Sequence, residues 1–172
     1  MKAGHLPTIP TLIVFDLDAC LWSPEMFELS AAPTAFDAAA GGVKAGHDVV
    51  RLFSGAAAVL RRLLTDSQFA DVRVAVASST TEPAYANRCI ETLPIDANGA
   101  RQERLCDLVE YRQIYPGSKG RQHFPALQKQ SGVPYDQMLF FVTAHCSKPL
   151  PAQSFRPLLT FCRECVFAPA SG

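Results

Sequence analysis

The sequence lacks any charge imbalance: Lys and Arg number 16, Asp and Glu number 16, and the formal net charge is zero. A chain without basic excess has no electrostatic footprint for nucleic acid or an anionic membrane surface, so neither partner is expected. No apolar run approaches the roughly 20 residues of a membrane-spanning helix. The stretch from Met1 to Pro7 has no apolar core, so no secretory signal is read there and a cytoplasmic address is expected. The 6 cysteines could suggest disulfides, but without that signal reduced thiols are the default. Disorder is excluded as well, because 48% of the residues are hydrophobic, whereas unfolded chains combine low hydrophobicity with high net charge. What remains is a globular chain of 172 residues, one domain by length and long enough to bury a core.

The stretch that organises the rest is Ile13-Val14-Phe15-Asp16-Leu17-Asp18. A short apolar run bounded by Pro10 reads as a buried strand, and it ends in two carboxylates one residue apart. Ligands of open α/β sheets bind beyond the carboxyl ends of the strands, which is where Asp16 and Asp18 fall. Two close acids repel unless a cation lies between them, so the pair asks for a divalent metal or a shared proton. It also suits a nucleophilic carboxylate beside a general acid/base. Taken alone, the same pair could be a strand running into a polar turn.

Downstream, Trp22, Met26 and Phe27 could wall a substrate entrance or belong to the core. Residues Ser30 to Gly46, rich in Ala and Gly, read as a flexible excursion or small flap. Ala56, Val59, Leu60, Leu63 and Leu64 mark one helix face, with Ser54 as the expected N-cap. Val72 to Ala77 form a second buried strand ending in Ser78-Ser79-Thr80-Thr81, and Glu82-Pro83 open another helix with Thr81 as the expected cap. Hydroxyls at a strand end before a helix N-terminus can bind an anion, or can simply cap the helix. Leu105 to Glu110 is ambiguous. The turn Tyr115-Pro116-Gly117-Ser118-Lys119 delivers a lysine to the start of a helix, where the dipole disfavours it, so a charge-neutralising task is expected. Gly132 ends that helix, and Met138 to Val142 form another buried strand. The order β-loop-α-β-α-(β)-α-β argues a parallel α/β sheet with right-handed crossovers.

Phe15-Asp16-Leu17-Asp18, Ala77-Ser78, Tyr115-Pro116-Gly117-Ser118-Lys119 and the Met138 to Phe141 strand together resemble the haloacid dehalogenase superfamily. Leu21-Trp22, Ile114 to Lys119 and Gly132-Val133-Pro134 before Gln137-Met138 narrow the resemblance to its magnesium-dependent phosphatases, over about residues 12–141. The resemblance implies a three-layer Rossmann-like α/β fold with a small flap and no large cap domain. It implies Asp16 as the nucleophile that forms an aspartyl-phosphate, and Asp18 as the acid/base. Ser78 and Ser79 would contact the phosphoryl oxygens, with Lys119 balancing charge. Mg²⁺ would be held by Asp16 and by Asp18 through its backbone carbonyl, and the substrate would be a phosphomonoester: a phosphorylated small molecule or phosphotyrosine. Such esters hydrolyse extremely slowly without catalysis, so a covalent carboxylate route assisted by metal and lysine meets the chemical need. A cysteine nucleophile at Cys20 is set aside, because no histidine base is close in sequence and the acids raise a thiol's pKa.

The resemblance breaks after Phe141. The family carries acids there that complete the Mg²⁺ shell, where this chain reads Val142-Thr143-Ala144-His145. From 142 to 172 the sequence is rich in Pro and Cys, and the family's last β/α unit reads as missing or replaced. The expected organisation is therefore a phosphatase domain over 1–141, with its flap at about 30–46, and an atypical tail over 142–172. Cys162-Arg163-Glu164-Cys165 with His145 and Cys146 falls short of the two paired ligand sets of a structural zinc site. The break leaves two other readings: a non-catalytic relative that binds phosphate through Ser78 and Lys119, and the product of a misread or unspliced transcript. In the second, Val142 would reflect the GT that opens most introns.

Overall fold

The computed structural model describes residues 9–96 and 103–142, and the backbone of 158–161. In chain order its principal elements are β1 (Leu12–Phe15), β2 (Trp22–Ser23), β3 (Phe36–Asp37), β4 (Gly42–Ala45), β5 (Asp48–Leu52) and α1 (Ser54–Thr65). There follow β6 (Arg73–Ser78), α2 (Pro83–Thr92), α3 (Leu105–Leu108), β7 (Val109–Ile114), α4 (Phe124–Ser131), β8 (Met138–Val142) and β9 (Leu158–Phe161).

The central sheet runs β7-β6-β1-β8-β9, and every pair in it is parallel. Strand alternation divides the buried side chains between two faces. Ile13, Phe15, Val74, Val76 and Phe141 share one core with Leu60 of α1, Ile90 of α2 and Leu105 of α3. Leu12, Val14, Ala75, Ala77 and Phe140 share the other with Phe124 and Leu127 of α4. The result is the expected three-layer arrangement. The chain moves outward from β1 to β6 and β7, then returns to β8 on the opposite side of β1. Strand order therefore reverses between β1 and β8, the place where an open α/β sheet offers a crevice to ligands.

Of the two readings of the Ser30 to Gly46 excursion, a flexible segment or a small flap, the structure has the flap. With its flanks it forms a second, antiparallel sheet of order β2-β5-β4-β3. Gly42 makes it possible: a Cβ there would collide with the Val50 carbonyl and come within 2.7 Å of Val49 Cγ1. Gly46 turns β4 into β5 at φ +65°.

Two helix caps also differ from expectation. Phe53, not Ser54, occupies the N-cap of α1, and its carbonyl accepts the Ala57 N–H at 2.9 Å. At α2 the cap position falls on Glu82, and Thr80, not Thr81, uses its hydroxyl there to accept the Glu82 N–H at 3.1 Å. Gly132 closes α4 at φ +71°, as its sequence position implies. The ambiguous Leu105 to Glu110 stretch divides into α3 and the first residues of β7.

At the break point, the Val142 side chain packs into the α4-facing core and offers no metal ligand. A further strand was not expected in the tail, yet β9 pairs with β8 from Leu139↔Leu158 to Val142↔Phe161. Thr143, His145, Cys146, Cys162 and Cys165, and with them the zinc reading, lie outside the described residues. Among the described residues, no helix is long and apolar enough to cross a membrane.

Candidate active site

Asp16 is the first residue beyond β1, and its N–H donates to the Phe141 carbonyl at 2.9 Å. The ladder to β8 thus continues one residue past the strand and fixes where this carboxylate begins. The next residues fold into a tight turn. The N–H groups of Cys20 and Leu21 both donate to the Leu17 carbonyl, at 3.1 and 2.8 Å, and the Ala19 N–H donates to the Trp22 carbonyl at 3.1 Å. Ala19 adopts φ +57°, the left-handed region that side chains rarely enter. Leu17, Leu21 and Trp22 anchor the turn by complete burial.

Asp16 is itself 8% exposed. Its Oδ1 accepts the Leu17 N–H at 2.9 Å, and its Oδ2 meets Lys119 Nζ at 2.7 Å. Both side chains of this ion pair are 12% exposed, so it is screened little by solvent. The structure thus unites two residues 103 positions apart.

The Lys119 loop is braced from several sides. The Tyr115 N–H donates to the Ser78 carbonyl at 3.2 Å, and the Ser79 hydroxyl donates to the Gly117 carbonyl. The Ser118 N–H donates to Gln122 Oε1 at 2.8 Å. His123 Nε2–H donates to the Tyr115 carbonyl at 3.0 Å, and the two rings stack with centroids 4.2 Å apart. Lys119 opens a single π-helical turn, Lys119–His123, that feeds α4. Such turns are frequent at functional sites. Ser78 is 2% exposed and ends β6, the neighbour of β1, so it shares the carboxyl edge with Asp16. Ser79 also lies there, but its hydroxyl is spent on the Gly117 carbonyl and braces the lysine loop.

Asp18 is held differently. Its Oδ1 accepts the Trp22 indole N–H at 2.8 Å. Burial raises its pKa above the ordinary carboxylate value; the Trp22 and Met26 N–H donors work against that rise, and the charges of Asp16 and Glu25 reinforce it. Cys20 is no nucleophile: burial, followed by the Asp16 charge, pushes its thiol up to about 12, and Sγ donates to the Phe141 carbonyl at 3.6 Å.

For a metal, the donor set is small. Among the described residues, no group of three His, Cys, Asp or Glu side chains converges. The Asp16 carboxylate is available, and no described residue donates a hydrogen bond to the Asp18 backbone carbonyl. Mg²⁺ fits such a sparse set, because it keeps several waters and commonly uses one or two carboxylates with substrate phosphate.

Sequence reasoning missed the Trp22 bond to Asp18, the part Thr80 plays, and the His123–Tyr115 brace. Burial of Trp22 is legible in its neighbours, but a hydrogen bond across a four-residue turn leaves no periodic mark.

An aspartate–lysine pair on the carboxyl edge of a parallel sheet, beside an antiparallel flap, is the arrangement of the haloacid dehalogenase class. The acid phosphatase family matches residues 8–145. Human magnesium-dependent phosphatase 1 is 38% identical over 138 residues, covering 77% of this chain and 67% of the human protein. A HAD-like hydrolase superfamily protein of Schizosaccharomyces pombe is 29% identical over 135 residues, 77% of this chain and 74% of its own. A solved phosphatase-domain fragment of a Bacteroides fragilis protein, in complex with Mg, aligns with TM-score 0.49 and 14% identity over 79% of this chain and 31% of that one. The chain belongs to the acid phosphatase family, and thus to the phosphatases of the haloacid dehalogenase type.

Proposed function

We propose that residues 1–141 form a magnesium-dependent phosphatase unit that hydrolyses phosphomonoesters through an aspartyl-phosphate. The observation that carries this reading is the Asp16–Lys119 pair at 2.7 Å. A carboxylate is a weak nucleophile toward a phosphate dianion because like charges repel. A lysine in contact with it offsets that repulsion and the charge that gathers as the bond forms. Asp16 attacks phosphorus, the bond to the leaving oxygen breaks, and Asp18 gives that oxygen its proton. Asp18 then takes a proton from the water that attacks the aspartyl-phosphate, releasing phosphate and restoring Asp16. The raised proton affinity of Asp18 suits its donor role. Ser78 contacts the phosphoryl oxygens from the neighbouring strand end.

The Asp16 carboxylate and the Asp18 backbone carbonyl would hold Mg²⁺, with water filling the remaining positions. The ion would neutralise charge on the transferring phosphoryl group. The likeness to human magnesium-dependent phosphatase 1 supports this metal and a phosphatase activity. Phosphorylated small molecules and phosphotyrosine remain the substrate classes. Cytoplasmic residence is part of the same reading.

Hydrolysis of p-nitrophenyl phosphate, with Mg²⁺ and with EDTA, tests the proposal beside Asp16→Asn. The expected result is turnover that needs Mg²⁺ and falls by roughly 10³-fold or more in the variant, the scale of lost nucleophilic and electrostatic catalysis. A folded chain that never turns over would be a phosphate-binding relative instead.

A further inference from the structure

The acid/base carboxylate is fastened to the flap. Asp18 Oδ1 accepts the Trp22 indole N–H at 2.8 Å, and Trp22 is the first residue of β2, paired with Leu52 of β5. The indole is fully buried and cannot turn toward solvent. Among the described residues, no hydrogen bond joins the Asp18 side chain to Lys119 or Ser78, whereas Asp16 is gripped by Lys119 and by its own turn.

An indole nitrogen can only donate. A protonated carboxyl has one O–H and one oxygen that only accepts. Trp22 thus favours Oδ1 as an accepting oxygen, and the Met26 N–H, the second donor to this carboxyl, adds to its hold. Resting on the phosphatase reading above, we infer that Trp22 is a positioning residue that turns the Asp18 carboxyl toward the leaving oxygen. The same orientation serves both halves of the reaction. The carboxyl gives its proton to the leaving oxygen and later takes one from water, while the indole bond persists. The flap sheet, through β2, thus sets the aim of the acid.

The test combines two readouts. Trp22→Phe keeps an aromatic ring and removes the N–H. Esters with poor leaving groups, such as alkyl phosphates, depend on the acid, whereas p-nitrophenyl phosphate depends on it little. The expected result is a fall in kcat of about tenfold or more for the alkyl esters, within the range general acids supply, against less than about threefold for the aryl ester, with KM nearly constant. Equal losses for both classes would mean a merely structural role and would overturn the inference. Because Trp22 is the chain's 1 tryptophan, ultraviolet resonance Raman reports its N–H without ambiguity and does not depend on the variant folding. A hydrogen-bonded indole is expected in the unaltered chain, with and without orthovanadate, and a weakly bonded one in Asp18→Ala. An indole unaffected by Asp18→Ala, or released by orthovanadate, would overturn it. If the unaltered chain shows no Asp16-dependent turnover of any ester, the phosphatase reading falls and takes this one with it. Turnover whose loss in Trp22→Phe ignores the leaving group removes the Trp22 assignment alone.

Discussion

The parallel sheet and the antiparallel flap each hold one of the two aspartates, and they do so with very different amounts of buried surface. All four residues of β1 are buried, whereas only Val50 of the five in β5 is. The difference follows from layering: helices cover the parallel sheet on both faces, and among the described residues no helix covers the flap's second face. Asp16, extending from β1 and locked to Lys119, inherits the rigidity of a double core. Asp18 depends on a short strand, the Trp22 indole and the Met26 N–H. Asp16 is thus placed chiefly by packing, and Asp18 by hydrogen bonds.

The strongest way to break this contrast is at the lysine. Lys119→Met removes the partner of a carboxylate nine-tenths buried, and a lone charge in such a place typically costs about 3–5 kcal/mol. Turnover of p-nitrophenyl phosphate should fall roughly 10²–10³-fold, and urea unfolding should show the lost stability. If stability is unchanged, Asp16 is not held as described.

Next is the core itself. Phe140 is 2% exposed and meets Phe124 edge to face at 5.0 Å. Phe140→Ala should lower stability by about 3–5 kcal/mol. Val43→Ala in the flap, with two fewer methylene equivalents to bury, should lower it by about 1.6 kcal/mol. Equal effects in denaturant titration would erase the distinction between the sheets. Gly42→Ala sharpens it from the other direction. The added methyl meets the Val50 carbonyl and forces β4 from β5, with overpacking worth about 1–3 kcal/mol. Its greater effect should fall on catalysis of alkyl esters, because Asp18 is tied to the flap.

The smallest effect concerns thiols. Burial pushes Cys20 and Cys89 up to about 12 from an ordinary 9.0. A thiol whose folded pKa lies above its unfolded one stabilises the fold fully below the unfolded value and loses that contribution as pH rises toward the folded one. The melting temperature should therefore decline above pH 9, and Cys89→Ala should flatten the decline. At pH 8 iodoacetamide should label neither residue in the folded chain, as peptide mapping by mass spectrometry would show.

How much of this was legible beforehand follows the same contrast. β1, β6 and β8 announce themselves as apolar runs because both their faces are covered, and Asp16, Asp18, Ser78 and Lys119 fall at strand or turn ends that the runs define. The flap hides because β2 and β3 are two residues each and its glycines read as breaks, although Gly42 serves strand pairing. β9 hides because Leu158-Leu159-Thr160-Phe161 is too short for periodicity among prolines and cysteines. The bond that holds Ser79 hides as well, since the Gly117 carbonyl that occupies it comes from a loop 38 residues away.

Ala19 carries one more consequence. Its φ of +57° strains any residue with a Cβ by about 1–2 kcal/mol, and glycine would relieve it. Glycine would also enlarge the freedom of the unfolded chain, an opposing change of about 0.4–1 kcal/mol, which offsets only part of that relief. The methyl's lasting effect is to stiffen the turn between the carboxylates and the indole. A laboratory population selected only for heat tolerance should therefore move toward glycine at position 19, while one selected for turnover should keep alanine.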